Sequence, residues 1–78
     1  MTDQEIKDRF SERLRALMYQ KKRYNKKELA EASGLSPKTI GRYRRAERLP
    51  STTNLIKIAN ALDCTPEDLI PYERNKTE

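Results

Sequence analysis

The sequence predicts a single all-α domain of five short helices. Signals for the start of a helix recur along the chain, and apolar residues follow them at the spacing of a helix face. Strand signals are weak, because the sequence contains no valine and its other β-branched residues are not clustered. A chain of 78 residues forms one small domain with little room for a deep substrate cavity.

The first helix is predicted to start after Thr2 and to reach about Lys22. Thr2 and Glu5 have the spacing of a capping box, in which each side chain accepts a hydrogen bond from the backbone N–H of the other residue. The apolar residues that follow at helical spacing are Ile6, Phe10, Leu14, Leu17 and Met18.

Two shorter helices follow. Asn25 is a favourable N-cap with Glu28 three residues later, so a second helix is predicted over 26–33. Gly34 is placed to end it in the left-handed conformation. Ser36 caps a third helix over 37–45, whose first position suits Pro37 because the missing N–H has no partner there.

The break at Leu49-Pro50 precedes two further helices. Ser51 or Thr52 caps the fourth, and Thr65 caps a short fifth helix. We expect the domain to span residues 1–72, followed by a polar tail at 73–78. The predicted core consists of Phe10, Leu14, Leu17, Leu29, Ala30, Leu35, Ile40, Leu55, Ile58, Ala59 and Leu62.

The composition excludes several classes of site. One cysteine and no histidine exclude a disulfide framework and a zinc site of the usual Cys/His type. The apolar runs are too short for a membrane span or a signal peptide. A lone cysteine favours a reducing compartment, so we predict a cytoplasmic protein. No catalytic triad, metal-ligand set or phosphate loop is visible, and we expect no enzyme activity, metal or cofactor.

Positive charge is concentrated in the middle of the chain. The net charge is +5, but residues 20–50 hold ten basic and three acidic groups, a local charge of +7. Residues 1–19 have four of each sign, and residues 51–78 have three basic and five acidic groups. A focused positive charge of this size indicates a polyanionic partner.

The segment 25–49 has the pattern of a helix-turn-helix. Two short helices are joined by a three- to four-residue turn that contains Gly34. Ala30 is small where the two helices would cross. The outer side of the third helix carries four side chains that can reach base edges or phosphates: Lys38, Thr39, Arg42 and Arg45.

Residues 10–72 resemble the Cro and phage-repressor type of bacterial helix-turn-helix domain, the XRE family. The resemblance rests on Leu29-Ala30, Gly34-Leu35-Ser36, Leu49-Pro50, the apolar face of the fourth helix and the closing segment 65–69. It implies a compact five-helix, lambda-repressor-like fold. It also implies that the helix beginning at Ser36 is the recognition helix, with positions 37, 38, 39, 41 and 42 facing the major groove.

Four positions depart from the family pattern. The family usually has Gln at Lys26, Glu at Arg44, Gly at Ala46 and Ser at Gly41. Lys26 retains the ability to contact a phosphate but loses the amide. A glycine inside a helix costs about 1 kcal/mol relative to alanine, so a reason for Gly41 is expected, and close approach of the DNA groove wall is one candidate. The departures leave the fold prediction unchanged and the target sequence undetermined.

The resemblance and the charge pattern together assign candidate DNA contacts. Arg42 is the first choice for a base contact, because arginine to guanine is the commonest specific contact. The predicted base-contacting residues are Lys38, Thr39, Gly41 and Arg42. The predicted phosphate-contacting residues are Asn25, Lys26, Lys27, Ser36, Tyr43, Arg44, Arg45 and Arg48. The cluster Lys21-Lys22-Arg23 has a simpler explanation as the cationic end of the first helix.

The predicted function is a sequence-specific regulator of transcription that binds double-stranded DNA. The resemblance implies a bacterial or phage-like repressor acting by promoter occlusion. One domain contacts few base pairs, so a homodimer is expected, with Leu69, Ile70 and Tyr72 as candidate dimer contacts; for Leu69 the alternative is that it closes the core. The alternative is an antitoxin or other protein-interaction module that also binds its own operator. RNA binding is disfavoured because few aromatic side chains are available for base stacking.

Overall fold

The computed structural model describes residues 2–70. The regular secondary structure of this part of the chain is entirely helical, as predicted. Its helices match the predicted order, and their ends differ from the predictions by at most one or two residues. They are α1 (Asp3–Leu17), which continues into a π-helical segment (Met18–Lys22), α2 (Lys26–Ser33), α3 (Pro37–Arg44), α4 (Thr52–Ala61) and α5 (Pro66–Leu69).

The predicted caps set the helix starts. Glu5 N–H donates to the Thr2 hydroxyl at 3.1 Å, and Thr2 N–H donates to the Glu5 carboxylate at 2.8 Å. This second bond lowers the pKa of Glu5. Asn25 and Glu28 form the same reciprocal pair at 2.8 and 2.9 Å. Ser51, rather than Thr52, caps α4. Each of these helices therefore begins where a short polar side chain satisfies free backbone donors.

Several helix ends use the left-handed conformation. Gly34 ends α2 with φ 78°, as predicted. Three residues other than glycine also have positive φ: Arg23 (55°), Ala46 (61°) and Asp63 (58°). The left-handed region costs a residue with a Cβ atom roughly 1–2 kcal/mol. This cost explains why glycine is usual in the family at the position of Ala46.

The core lies between α1, α2, α3 and α4 and is closed by α5. Eight predicted core residues are fully buried, whereas Leu17, Leu35 and Leu55 are only partly buried against them. Met18, Tyr43 and Leu69 are buried and were missing from the predicted core. Leu69 is 0% exposed because α5 folds back on the core. Its proposed role as a dimer contact is therefore wrong, since its side chain has no free surface.

The helix-turn-helix is anchored at Ala30. The N–H groups of Gly34 and Leu35 donate to the Ala30 carbonyl at 2.9 and 3.0 Å, which fixes the turn. Ala30 is 2% exposed. Such a site has no volume for a larger side chain.

The α3 helix is also attached to α1. The ring of Tyr43 packs edge-to-face on Phe10, with centroids 6.0 Å apart. The hydroxyl of Ser11, itself buried, donates to the backbone carbonyl of Arg44. These two contacts hold the C-terminal half of α3 beside α1. Within residues 2–70, no helix is long and apolar enough to cross a membrane.

Ala30→Leu should strongly destabilise the protein, because three additional carbon atoms enter a packed helix crossing. Overpacking of this kind costs about 1–3 kcal/mol. Ala32→Leu is the matched control, since Ala32 lies on the same helix and is exposed. Thermal melts should show a large decrease in melting temperature for the first variant only. Equal melting temperatures for the parent and Ala30→Leu would contradict the close crossing of α2 and α3.

Candidate nucleic-acid interface

The outward side of α3 carries a row of cations. Lys38, Arg42 and Arg45 are separated by four and three residues, which places them on one helix face. Lys38 and Arg45 are exposed, and Arg42 is half-buried. Ile40 and Tyr43 occupy the opposite side and are buried in the core. The arrangement matches the predicted division of this helix into a buried side and a basic side.

Arg45 forms an ion pair with Glu47. The Arg45 Nε atom lies 2.8 Å from a Glu47 carboxylate oxygen, and Nη2 lies 3.4 Å from the other. This pairing lowers the pKa of Glu47 and raises the pKa of Arg45. Both side chains are at least half exposed, so the pair is screened and weak. An incoming phosphate can replace Glu47 as the partner of Arg45.

A polar groove lies on the side of α3 that faces α4. We call it the α3–α4 groove, and its principal lining residues are Thr39, Arg42, Tyr43, Arg48, Ser51 and Asn54. The Thr39 and Ser36 hydroxyls are hydrogen bonded at 2.9 Å. Asn54 donates to the Tyr43 hydroxyl at 3.1 Å, so only this polar end of a buried side chain reaches the groove. Ser51 and Asn54 were not among the predicted site residues.

A second depression lies on the other side of α3. We call it the α2–α3 depression, and it is lined by Arg15, Lys26, Gly41, Arg44 and Arg45. Four of its five residues are cations. They come from α1, from the first position of α2 and from the end of α3, so their convergence depends on the fold. Nothing in the local sequence around Arg15 indicates this position.

Gly41 is covered by two of these cations. A Cβ atom at this position would lie 3.0 Å from Arg45 Nη1 and 3.4 Å from Lys26 Cδ. Gly41 is also buried in α3. In the structure the groups that approach Gly41 closely are basic side chains of the protein itself, which differs from the groove-wall explanation. In this arrangement Gly41 is not available for the predicted base contact.

The remaining predicted phosphate contacts occupy the ends of the helices. Asn25 and Ser36 use their side-chain oxygens to cap α2 and α3. Both residues are exposed, as are Lys27 and Arg48. Helix N-termini present free backbone N–H groups and a partial positive charge, which suits an anion. Among residues 2–70, no group of histidine, cysteine or carboxylate side chains is placed to hold a metal ion.

The remaining C-terminal candidates for a dimer contact are Ile70 and Tyr72, and the structure describes only the first. Ile70 is 37% exposed and lines an apolar depression with Ile6, Leu49 and Leu55. Tyr72 lies outside the described residues. Ile70 is thus the one predicted dimer contact with a described, free apolar surface.

Comparison with known proteins identifies the family of the chain. Residues 14–69 match the family model described as helix-turn-helix. A crystal structure of the restriction-modification controller protein C.AhdI from Aeromonas hydrophila is 37% identical and has a TM-score of 0.73. The match covers 83% of this chain and 94% of that chain. No curated protein sequence matches the chain. The family match spans most of the chain, and the chain therefore belongs to the XRE-type helix-turn-helix family of DNA-binding transcription regulators.

Proposed function

We propose that the protein represses transcription by binding a specific DNA sequence with α3 in the major groove. The observation that carries this proposal is the position of the row Lys38, Arg42 and Arg45. This row stands between two depressions that both contain cations. A major groove, about 12 Å wide, admits one α-helix and is bordered by two phosphate backbones. Lys38 and Arg42 would face the base edges, and each depression, one of which includes Arg45, would face one backbone.

Arg42 is the best placed residue for base readout. It belongs to the outward row and also lines the α3–α4 groove. Its guanidinium has the geometry to donate two hydrogen bonds to guanine. Lys38 and Thr39 lie one turn closer to the N-terminus of α3, where recognition helices contact bases. The Thr39 hydroxyl is already oriented by Ser36.

The backbone contacts divide between the two depressions. Lys26, Lys27 and the N-terminus of α2 serve one strand, together with Arg44 and Arg45. Arg48, the Tyr43 hydroxyl and the N-terminus of α4 serve the other. Such contacts fix the register of the protein on DNA and carry no sequence information themselves.

Control of a restriction-modification system is the regulatory role that we propose. The structural neighbour with 37% identity over nearly its whole length is a controller of that kind. Mapping the selected site onto the genome that encodes this chain provides the test. Restriction-modification genes next to that site would support the role. A site beside unrelated genes would exclude it. Reporter transcription from the adjacent promoter should fall when the protein is present if binding represses.

Arg42→Ala and Lys27→Ala should have different effects on binding. Loss of Arg42 should cost about 1–3 kcal/mol on a duplex selected from a random pool, and it should relax discrimination at one base pair. Loss of Lys27 should weaken selected and random duplexes alike and reduce the salt slope by about one unit. Binding isotherms at several salt concentrations measure both effects.

Arg9→Ala is the control for these variants, because Arg9 is exposed on α1 and lines neither depression. This variant should bind the selected duplex almost as tightly as the parent, with only a small loss of non-specific electrostatic attraction to DNA. If Arg42→Ala reduced affinity equally for selected and random duplexes, Arg42 would be a backbone contact instead.

We further propose that two copies bind together, with Ile70, which is exposed, and Tyr72, which lies outside the described residues, at the contact. A single module buries about 600–1,000 Å² on DNA, which is too little to select one site in a genome. The selected site should therefore contain two-fold related half-sites about 34 Å apart. Analytical ultracentrifugation should find two chains per duplex, and Ile70→Lys should shift binding toward one chain per duplex. A one-to-one complex of the parent protein on an asymmetric site is incompatible with this model.

A further inference from the structure

A third depression lies where the end of α1 meets the end of α3. We call it the arginine pocket, and it is lined by Arg15, Met18, Tyr19, Arg23, Tyr24 and Arg44. Three of these six residues are cations, and none is acidic. Arg23 and both tyrosines lie outside the surface assigned above to DNA. The cluster at 21–23 was explained by sequence as the cationic end of a helix, but that explanation does not account for Arg15 and Arg44 beside it.

Arg44 has a hydrogen-bonding group without a partner. The bond from Ser11 to the Arg44 carbonyl holds this residue against α1. Its side chain is half-buried, and its Nε atom is buried with no hydrogen-bond acceptor among residues 2–70. A buried donor of this kind is costly unless an acceptor is supplied from outside. The buried Nε atom does not itself reach the surface, but Arg44 lines the arginine pocket, and an anion there would pair with a guanidinium that the described residues leave partly unsatisfied.

Arg23 is fixed in position at the rim of the pocket. Its guanidinium carbon lies 5.2 Å from the centroid of the Tyr19 ring, within the range of a cation–π contact. Tyr19 is 65% exposed, so this pair stands at the surface. The backbone of Arg23 is left-handed and follows the π-helical segment, which gives its side chain a defined direction. The charge is thus held at the pocket, and within residues 2–70 the Arg23 guanidinium donates no hydrogen bond.

We propose that the arginine pocket binds a phosphate group of the DNA backbone, outside the base pairs that α3 covers. This inference rests on the proposed function. Arginine is well suited to such a ligand, because its planar donors match phosphate oxygens. Tyr19 and Tyr24 add hydroxyl donors at the same site. The pocket would extend the contact with one strand beyond the helix-turn-helix.

We assign the ligand as a DNA phosphate rather than a free phosphate compound because the arginine pocket is continuous with the α2–α3 depression. Arg15 and Arg44 line both the arginine pocket and the α2–α3 depression, so one strand can pass from one to the other. On another side of the same two arginines lies a depression that contains Asp8 and Glu12. These carboxylates disfavour a phosphate there. The charge pattern therefore directs the strand toward Arg23.

The test compares two duplexes that contain the same selected site. One ends at the outermost selected base pair, and the other continues for about five further base pairs on each side. Arg15→Gln, Arg23→Gln and the double variant keep a polar side chain and remove the charge. Arg9→Gln is the matched control, because Arg9 is an exposed arginine of α1 that does not line the arginine pocket. Melting curves of all variants confirm that they are folded.

The parent protein should bind the extended duplex more tightly than the short one. Arg23→Gln should lose most of this advantage, about tenfold, and should bind the short duplex like the parent. The salt slope on the extended duplex should fall by about one unit. Arg9→Gln should retain the advantage. Lys27→Ala should be weaker on both duplexes, which separates a failure of the proposed function from a failure of this pocket.

Two outcomes would overturn the inference. One is a parent protein that binds both duplexes equally while Arg42→Ala still relaxes discrimination at one base pair. The other is a free-phosphate site, which NMR of the arginine Nε–H groups can detect. In that case inorganic phosphate would shift the Arg44 signal. Arg23→Gln would then bind the extended duplex as tightly as the parent protein does.

Discussion

The α3 helix is attached to the protein along one side only. Ile40 and Tyr43 are buried, and the hydroxyl of Ser11 on α1 binds the last carbonyl of the helix, that of Arg44. At the other end, Ser36 caps the helix and Ala30 accepts both hydrogen bonds of the preceding turn. These few contacts fix the direction of α3. They therefore determine which basic side chains lie next to one another. The α2–α3 depression and the arginine pocket exist only while Arg44, which lines both, stays beside α1 and α2.

Local chemistry made much of this fold predictable. The caps at Thr2, Asn25 and Ser36 act through neighbouring residues, so their spacing in the sequence was sufficient to place the helix starts. The burial of Leu69 and Tyr43 was not predicted, because it depends on the angle at which helices meet. The same limit applies to the site. The outward row on α3 follows from helical spacing, whereas the positions of Arg15 and the cover over Gly41 require the packed structure.

The crowding of positive charge has a thermodynamic consequence. Ten basic residues lie in the segment 20–50, and the one ion pair within residues 2–70 joins Arg45 to Glu47. Like charges held close together destabilise the free, folded state. A polyanion that binds only the folded state removes this repulsion and stabilises the fold by mass action. Stability and DNA binding are therefore coupled through the same side chains.

Ala46 gives the bend after α3 a particular property. Its left-handed backbone, at φ 61°, costs more than a glycine would, but alanine also has fewer backbone conformations than glycine. The bend carries Arg45 on one side and Arg48 on the other. A stiffer bend holds both cations in place before any ligand arrives, so less conformational entropy is lost on association. Alanine at this bend thus shifts part of the cost of ordering the interface from the DNA-binding step to folding.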